Sequence, residues 1–328
     1  MDVDFETMSL TEIIRLQTEL SRVLTRRFEK AQALGFTDIV GSTAYFARFG
    51  DEAGRALQQL HHDTLTAAIT PLGGRIVDTA GDGAFTCFPD VKTALLGLLA
   101  CLEKVMEENA HKSREHQLVL RIGVHHGNVL TDGTIVSGDA VNLCARITAT
   151  ADPGELRLSA AALREVPAEL RTRCWPVPLV MVKGYNDPLI LFHFDWRDEQ
   201  RLPGSVFVRE TEETFQLPQQ DIIRFGRLSG EDGLGASNDV ILTLKNKDLE
   251  KRLSRFHFEL RRKKTGYTLI PLSKQPTEVD GKRIEMGAES PITATSIVKL
   301  SKAITLEFRP KRNPNPGNAS PTMEPSSM

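Results

Sequence analysis

Near residue 200 the hydrophobic period of this chain changes, and that change restricts it to two folding units of different class. Between residues 33 and 194, strand-like segments (32–40, 75–78, 84–88, 118–127, 155–159) alternate with helix-period ones (53–70, 91–109, 139–149 and a short helix after 159). Such alternation predicts an α/β or α+β domain with helices covering a sheet. After Trp196 the polar stretch Arg197-Asp198-Glu199-Gln200-Arg201-Leu202-Pro203-Gly204 reads as a linker. Beyond it come only short β-branched or aromatic runs between turns (206–208, 214–217, 222–226, 240–244, 256–262, 268–271, Ile284, Ile292, Val298, 304–308), with one helical turn near 246–252. That pattern predicts a β-sandwich. Recurring Pro, Asn, Ser and Gly predict a disordered tail over 310–328. Ahead of the first strand, Ile13, Leu16, Leu20 and Val23 recur at three- and four-residue spacing, with Ser9 or Thr11 available as N-cap. An amphipathic helix is expected there, packed on its own domain or paired with a second copy as a short coiled-coil seam. The expected boundaries are an N-terminal helix in 1–30, an α+β domain over 31–196, a linker over 197–204 and a sandwich over 205–309.

The chain of 328 residues, 40% hydrophobic and 26% charged, can bury substantial cores. A net charge of −2 gives no overall attraction to nucleic acid or to an anionic membrane, so any anion binding must be local. Cys87, Cys101, Cys144 and Cys174 form no Cys-x-x-Cys pair and are expected to be reduced, mostly buried thiols. The longest apolar run, 94–102, is too short to span a bilayer, and the acidic start Met1-Asp2-Val3-Asp4 is not a signal peptide. The expectation is a cytoplasmic protein without a membrane span.

Two segments about forty residues apart, Phe36-Thr37-Asp38-Ile39-Val40-Gly41-Ser42-Thr43 and Thr79-Ala80-Gly81-Asp82-Gly83, each set one aspartate at the end of an apolar or glycine-punctuated run. Aspartate between glycines is often only a turn residue. Two carboxylates facing one point, however, would suit a hard cation such as magnesium, which takes oxygen ligands and keeps much of its water.

Five ordered blocks carry a resemblance. Besides the two aspartate segments they are Arg121-Ile122-Gly123-Val124-His125-His126-Gly127, Gly138-Asp139-Ala140-Val141-Asn142-Leu143-Cys144-Ala145-Arg146 and Val182-Lys183-Gly184. In this order they resemble the class III nucleotidyl cyclases over roughly residues 31–194, which implies a ferredoxin-like sheet with covering helices. The resemblance implies conversion of ATP to 3′,5′-cyclic AMP and pyrophosphate, the ribose 3′-hydroxyl attacking the α-phosphorus with the help of two Mg²⁺ or Mn²⁺ ions. By motif position Asp38 and Asp82 would hold both ions, with the Ile39 carbonyl as a further ligand. Asn142 would orient the ribose, Arg146 would meet charge on the α-phosphate, and Lys183 would bind the triphosphate. Asn142 and Arg146, four apart, share a helix face. In such enzymes the aspartates of one subunit face the asparagine, arginine and lysine of the other, so a homodimer with composite sites is implied. The positions that select the base fall at Asp78, four before Asp82, and Ile135, seven before Asn142, where the family usually has lysine and aspartate or threonine. Altered base selectivity is the expectation. His125 and His126, at the end of an apolar strand, are read as structural.

Residues 223–281 resemble a forkhead-associated (FHA) domain through Phe225-Gly226-Arg227, Ser237-Asn238-Asp239-Val240-Ile241-Leu242, Ser254-Arg255-Phe256-His257 and Thr277-Glu278-Val279-Asp280-Gly281. The resemblance implies an all-β sandwich whose loops bind a phosphothreonine protein: Arg227 and Ser254 on the phosphate, His257 bracing the loop, Gln275 and Thr277 toward the peptide. Gln275-Pro276-Thr277 stands where the family usually has Asn-Gly-Thr. The basic run Arg261-Arg262-Lys263-Lys264 is read as a solvated hairpin end. Two functions of different class follow from the whole: a metal-dependent cyclase tuned by a phosphopeptide, or a catalytically silent cyclase-like dimer that serves as a phosphothreonine-reading scaffold.

Overall fold

A computed structural model describes residues 6, 8–110, 112–181, 184–185, 187–197, 202–218, 220–228, 238–263 and 266–310. The chain divides into two compact units, Met1–Trp196 and Arg197–Met328.

In the first unit α1 (Leu10–Phe28) leads directly into β1 (Glu29–Ile39), so the sheet starts two residues ahead of the expected domain edge. Ser9 caps α1 in a reciprocal capping box with Glu12, which satisfies two of the donors left free at a helix start. None of the residues of α1 is buried, and Leu10, Ile13, Ile14, Leu20 and Leu24 are exposed. Next come α2 (Ser42–Ile69), β2 (Arg75–Ala80), β3 (Gly83–Phe88), α3 (Val91–Asn109), β4 (Leu120–Thr131) and β5 (Val136–Ser137). Then follow α4 (Asp139–Thr150), β6 (Leu156–Ser159), α5 (Ala160–Glu165), α6 (Ala168–Arg171), β7 (Cys174–Pro176) and β8 (Leu191–Phe194). Helix α2 starts eleven residues before the expected 53, because two helical stretches join across Gly50, whose non-helical backbone (φ 84°) breaks the apolar period.

The sheet order is β2-β3-β1-β4-β6-β8-β7, with β5 on β4. Strand β1 lies at its centre, antiparallel to β3 on one side and to β4 on the other. Side chains alternate along a strand, so Ala33 and Ile39 join the core with Leu65, Ile69, Leu95 and Leu98 of α2 and α3. Leu34 and Phe36 face the other way and pack with Phe85, Cys87, Val129 and Cys144. Helix α4 can lie close on that second face because residue 123 is glycine: a Cβ there would sit 2.6 Å from the Thr148 backbone nitrogen. Cys87, Cys101 and Cys144 are buried free thiols, and Cys174 is half-buried.

The second unit is a sandwich. One sheet runs β10 (Glu213–Gln216), β9 (Pro203–Val208), β19 (Ile304–Pro310), β18 (Ile297–Leu300), β15 (Thr277–Val279), β16 (Lys282–Ile284). The other runs β12 (Val240–Ile241), β11 (Ile222–Gly226), β13 (Phe258–Lys263), β14 (Gly266–Pro271), β17 (Ser290–Ile292). The short α7 (Lys247–Glu250) is the expected helical turn, capped by Asn246. Phe225 stacks on Phe258 at 4.4 Å between ring centroids, with Phe308 edge-on at 6.4 Å, inside a shared aliphatic core. The linker is shorter than expected: Pro203 and Gly204 already belong to β9, where Pro203 pairs with Pro310 of β19. The expected tail beyond Pro310 lies outside the described residues. The basic run is corrected too. Arg262 is only 7% exposed and its guanidinium donates to the Arg197 carbonyl at 3.2 Å, because β13 lies inside the sheet between β11 and β14.

Candidate active site and sandwich loops

Register sets Asp38 across the ladder from the residue next to the second aspartate, Asp82. Asp38 sits opposite Gly83 of β3 on one side and opposite Arg121 of β4 on the other. Because residue 83 has no side chain, the carboxylate is open toward the Gly81-Asp82-Gly83 turn that carries the second aspartate. Ser42, at the start of α2, donates its hydroxyl to Asp82 Oδ2, and Gln58 Nε2 donates to the Gly81 carbonyl at 3.1 Å, so α2 holds the turn from two points. Arg121 donates to Asp38 Oδ2 from Nε and from Nη2, each at 2.6 Å. Ile39 is 2% exposed as a whole residue, with its side chain packed in the core.

Among the described residues no group of three or more His, Cys, Asp or Glu gathers as a metal site. Any ion here would therefore rest on two carboxylates and a carbonyl and complete its shell with water or substrate oxygens. An all-oxygen donor set of that size fits Mg²⁺ or Mn²⁺.

Behind the turn, on the α2 side, lies a cavity of about 300 Å³ lined by Arg55, Gln58, His61, His62, Thr79 and Asp82, among others. His61 is buried and meets Thr37 Oγ1 through Nε2 at 2.9 Å. Burial pushes its pKa down to about 4, His62 adds repulsion, and Asp82 partly opposes both. His125 is likewise buried, with Nδ1 on Ser159 Oγ at 2.8 Å and a pKa pushed down to about 4, chiefly by burial. These contacts fit structural roles.

Helix α4 lies on the Asp38 face of the sheet and carries Asn142, exposed, and Arg146, half-buried, four residues apart. The Arg146 guanidinium stacks over the Tyr185 ring at 5.3 Å, and the Tyr185 hydroxyl donates to Asp139 Oδ2 at 3.1 Å, in the first turn of the same helix. Lys183 lies outside the described residues. Asp78 is on β2 and accepts from the Thr79 backbone nitrogen at 2.8 Å. Ile135 is 66% exposed in the loop before β5, a loop tied to β2 by Arg75 Nη1 donating to the Thr134 carbonyl at 3.0 Å. Arg121, Ser42 and Tyr185 were missed by motif reading. The first two stand inside quoted blocks, and a strand-pairing register would have marked Arg121.

In the sandwich, Arg227 follows β11 with its side chain exposed, while its Nε donates to the Leu253 carbonyl at 2.9 Å and its backbone nitrogen to the Ser254 carbonyl at 3.1 Å. Ser254 is half-buried, and its backbone nitrogen donates to His257 Nδ1 at 3.2 Å, which makes His257 a neutral acceptor. Burial pushes the His257 pKa down to about 4. Asn238 braces the same loops, its Nδ2 donating to the Leu228 carbonyl at 3.0 Å and the Arg255 carbonyl at 2.7 Å. Glycine is required at 226, since a Cβ there would lie 2.1 Å from the Arg255 carbonyl oxygen. Gln275 is exposed, whereas Thr277 is fully buried in β15 and its hydroxyl reaches the Gln275 carbonyl at 3.4 Å, so Thr277 can act only from beneath the loop.

Residues 25–215, more than half of the chain, match the family profile described as the adenylate and guanylate cyclase catalytic domain, and residues 223–301 match the FHA domain. The chain is 25% identical to putative adenylate cyclase 3 of Rhizobium meliloti over 168 residues, which cover 51% of this chain and 29% of that protein. It is 32% identical to an adenylate cyclase of Streptomyces coelicolor over 149 residues, 45% of this chain and 36% of that one. The chain thus spans about a third of the length of these relatives. An adenylate/guanylate cyclase/hydrolase structure from Silicibacter pomeroyi superposes with a TM-score of 0.45 at 23% identity, over 51% of this chain and 96% of that one. Among the described residues no helix is long and apolar enough to cross a membrane. The chain belongs to the family of the adenylate and guanylate cyclase catalytic domain, followed in this case by an FHA domain.

Proposed function

We propose that this protein is a nucleotidyl cyclase that converts ATP to 3′,5′-cyclic AMP and pyrophosphate in a homodimer, and that its FHA domain ties this activity to a phosphothreonine protein. The observation that carries the reading is the register of β1. It pairs Asp38 with Gly83, the residue that follows Asp82, and puts Asp38 on the sheet face that also bears α4 with Asn142 and Arg146.

Asp38, Asp82 and the Ile39 carbonyl would hold Mg²⁺ or Mn²⁺, which when bound lowers the pKa of the attacking hydroxyl and neutralises charge on the leaving group. The protein's own groups supply the rest. Asn142, exposed on α4, offers an amide to orient the ribose. Arg146 presents a fixed cation where negative charge gathers on the α-phosphate, and its stacking on Tyr185 restricts the side chain before substrate arrives. Lys183, by its place in the Val-Lys-Gly block, would hold the triphosphate. With the aspartates on one protomer and Asn142, Arg146 and Lys183 on its partner, the dimer would build composite sites. ATP is the proposed substrate because the two relatives above carry the name adenylate cyclase. Asp78 and Ile135 in the base-facing positions supply an acceptor and an apolar contact, a weak basis for discrimination. In the sandwich, Arg227 and the Ser254 hydroxyl would take the phosphate, and His257 fixes the Ser254 backbone.

Incubating the full chain with Mn²⁺ or Mg²⁺ and each of ATP, GTP, CTP and UTP tests the reading. Cyclic AMP from ATP is expected, with measurable product from a second nucleotide. No cyclic product from any triphosphate, in a preparation shown to be dimeric, overturns the enzyme in favour of the scaffold.

A further inference from the structure

The Asp38 carboxylate has two flanks of opposite character. Toward β3 it faces Gly83 and the Asp82 turn; toward β4 it faces Arg121, directly across the ladder. Directly opposed residues of an antiparallel pair bring their Cβ atoms within about 5 Å, so opposite charges there attract. Here the guanidinium does not bridge both carboxylate oxygens. Nε and Nη2 both donate to Oδ2 at 2.6 Å, and among the described residues Oδ1 has no hydrogen-bond partner. The pair is partly shielded from water, with Asp38 21% and Arg121 36% exposed. Its attraction is therefore less screened than that of a fully exposed pair.

We propose that Arg121 is the resident counter-ion of the Asp38–Asp82 cradle. It occupies one oxygen of Asp38 while no ion is bound and so sets the concentration of divalent cation at which the cradle fills. This rests on the metal-cradle reading above. A divalent ion approaching Asp38 meets a carboxylate whose charge is already half spent on a cation, and which offers Oδ1 alone until the guanidinium withdraws. A partner that accepts a hydrogen bond from a metal ligand, such as a carboxylate behind a histidine, raises the ligand's basicity; a cation that donates to a ligating carboxylate works in the opposite sense. Arg121 is thus a positioning residue that also competes with the metal.

The test is a Mn²⁺ titration of the full chain without nucleotide, read by the EPR signal of free Mn²⁺, so that no turnover is needed. Arg121→Met keeps much of the length and removes the charge, and should bind Mn²⁺ about tenfold more tightly than the unaltered protein, at the low end of the effects seen for groups behind metal ligands. Arg121→Lys, whose compact ammonium cannot fork in the same way, should fall between the two. Equal or weaker Mn²⁺ binding by Arg121→Met, with an unchanged unfolding temperature, overturns the proposal and leaves Arg121 a strand brace. Should Arg121→Met unfold, the lysine variant decides: tighter binding supports the proposal, equal or weaker binding overturns it. Asp38→Asn separates the two levels, because Mn²⁺ binding that ignores this change removes the cradle itself, whatever Arg121 does.

Discussion

The two units build their candidate sites in different ways. In the first, the chemistry sits at paired positions of a continuous sheet: Asp38 is placed by its neighbours Gly83 and Arg121 in the ladder, and α4 is laid on the same face by the glycine at 123. In the second, Arg227 and Ser254 stand in loops at the sheet ends. They are held by side chains that bond backbone: Arg227 to Leu253, Asn238 to Leu228 and Arg255, His257 to Ser254. A site in a ladder inherits its geometry from every hydrogen bond of the sheet. A site in loops depends on a few buried polar side chains, each expensive to leave unpaired.

Acid probes this difference with the largest expected effect. His61, His125 and His257 are held neutral in the folded state with pKa values pushed down to about 4, against about 6.5 in an unfolded chain. Between those values the unfolded chain binds more protons, so the stabilisation is fully present above about pH 6.5 and is lost as pH falls toward 4. Each histidine contributes on the order of 3 kcal/mol. The first unit carries two and the second one, so tryptophan and circular-dichroism melts from pH 7 to pH 4 should show the first unit losing more stability. Equal losses would break the comparison.

Next in size is catalysis. Asp38→Ala and Arg146→Ala should each lower cyclase activity by roughly 10²–10³-fold, the usual worth of a preorganised charge at a reacting centre. Mixing the two inactive variants should restore part of the activity through one intact composite site. Heterodimers that form but stay silent would place all groups in a single protomer and undo the shared geometry.

In the loops the expected effects are smaller. Arg227→Ala should weaken binding of phosphothreonine peptides by about 1.5–3 kcal/mol, the range for a charge-assisted hydrogen bond, with binding to their unphosphorylated counterparts as the control. An unchanged phosphopeptide affinity, measured by calorimetry, would remove Arg227 from the site. Gly226→Ala should cost the second unit about 1–3 kcal/mol through the clash with the Arg255 carbonyl, while the first unit's unfolding midpoint stays where it is. A shift in both midpoints would show that the units do not unfold independently.

Periodicity made much of the architecture legible. Helix α3 and strand β11 match their expected spans because their apolar residues recur cleanly between strong end signals. Helix α2 is longer than its apolar pattern predicts because Gly50 interrupts the period, and the linker is shorter because Pro203 and Gly204 look like loop residues until Pro203 pairs with Pro310 of β19, about a hundred residues later. Arg262 was read as solvated because nothing in a run of basic residues shows which of them a neighbouring strand will cover.

By itself the sequence determined the two fold classes, the two aspartate segments, the Asn142–Arg146 spacing and the blocks that hold Arg227 and Ser254. These are matters of residue type and short-range period. Only the tertiary structure decided that Asp38 faces Arg121, 83 positions away, that Ser42 ties α2 to Asp82, and that Thr277 is buried in β15. Strand register couples residues far apart in the chain, and the charge a carboxylate meets across a ladder is written in no local pattern.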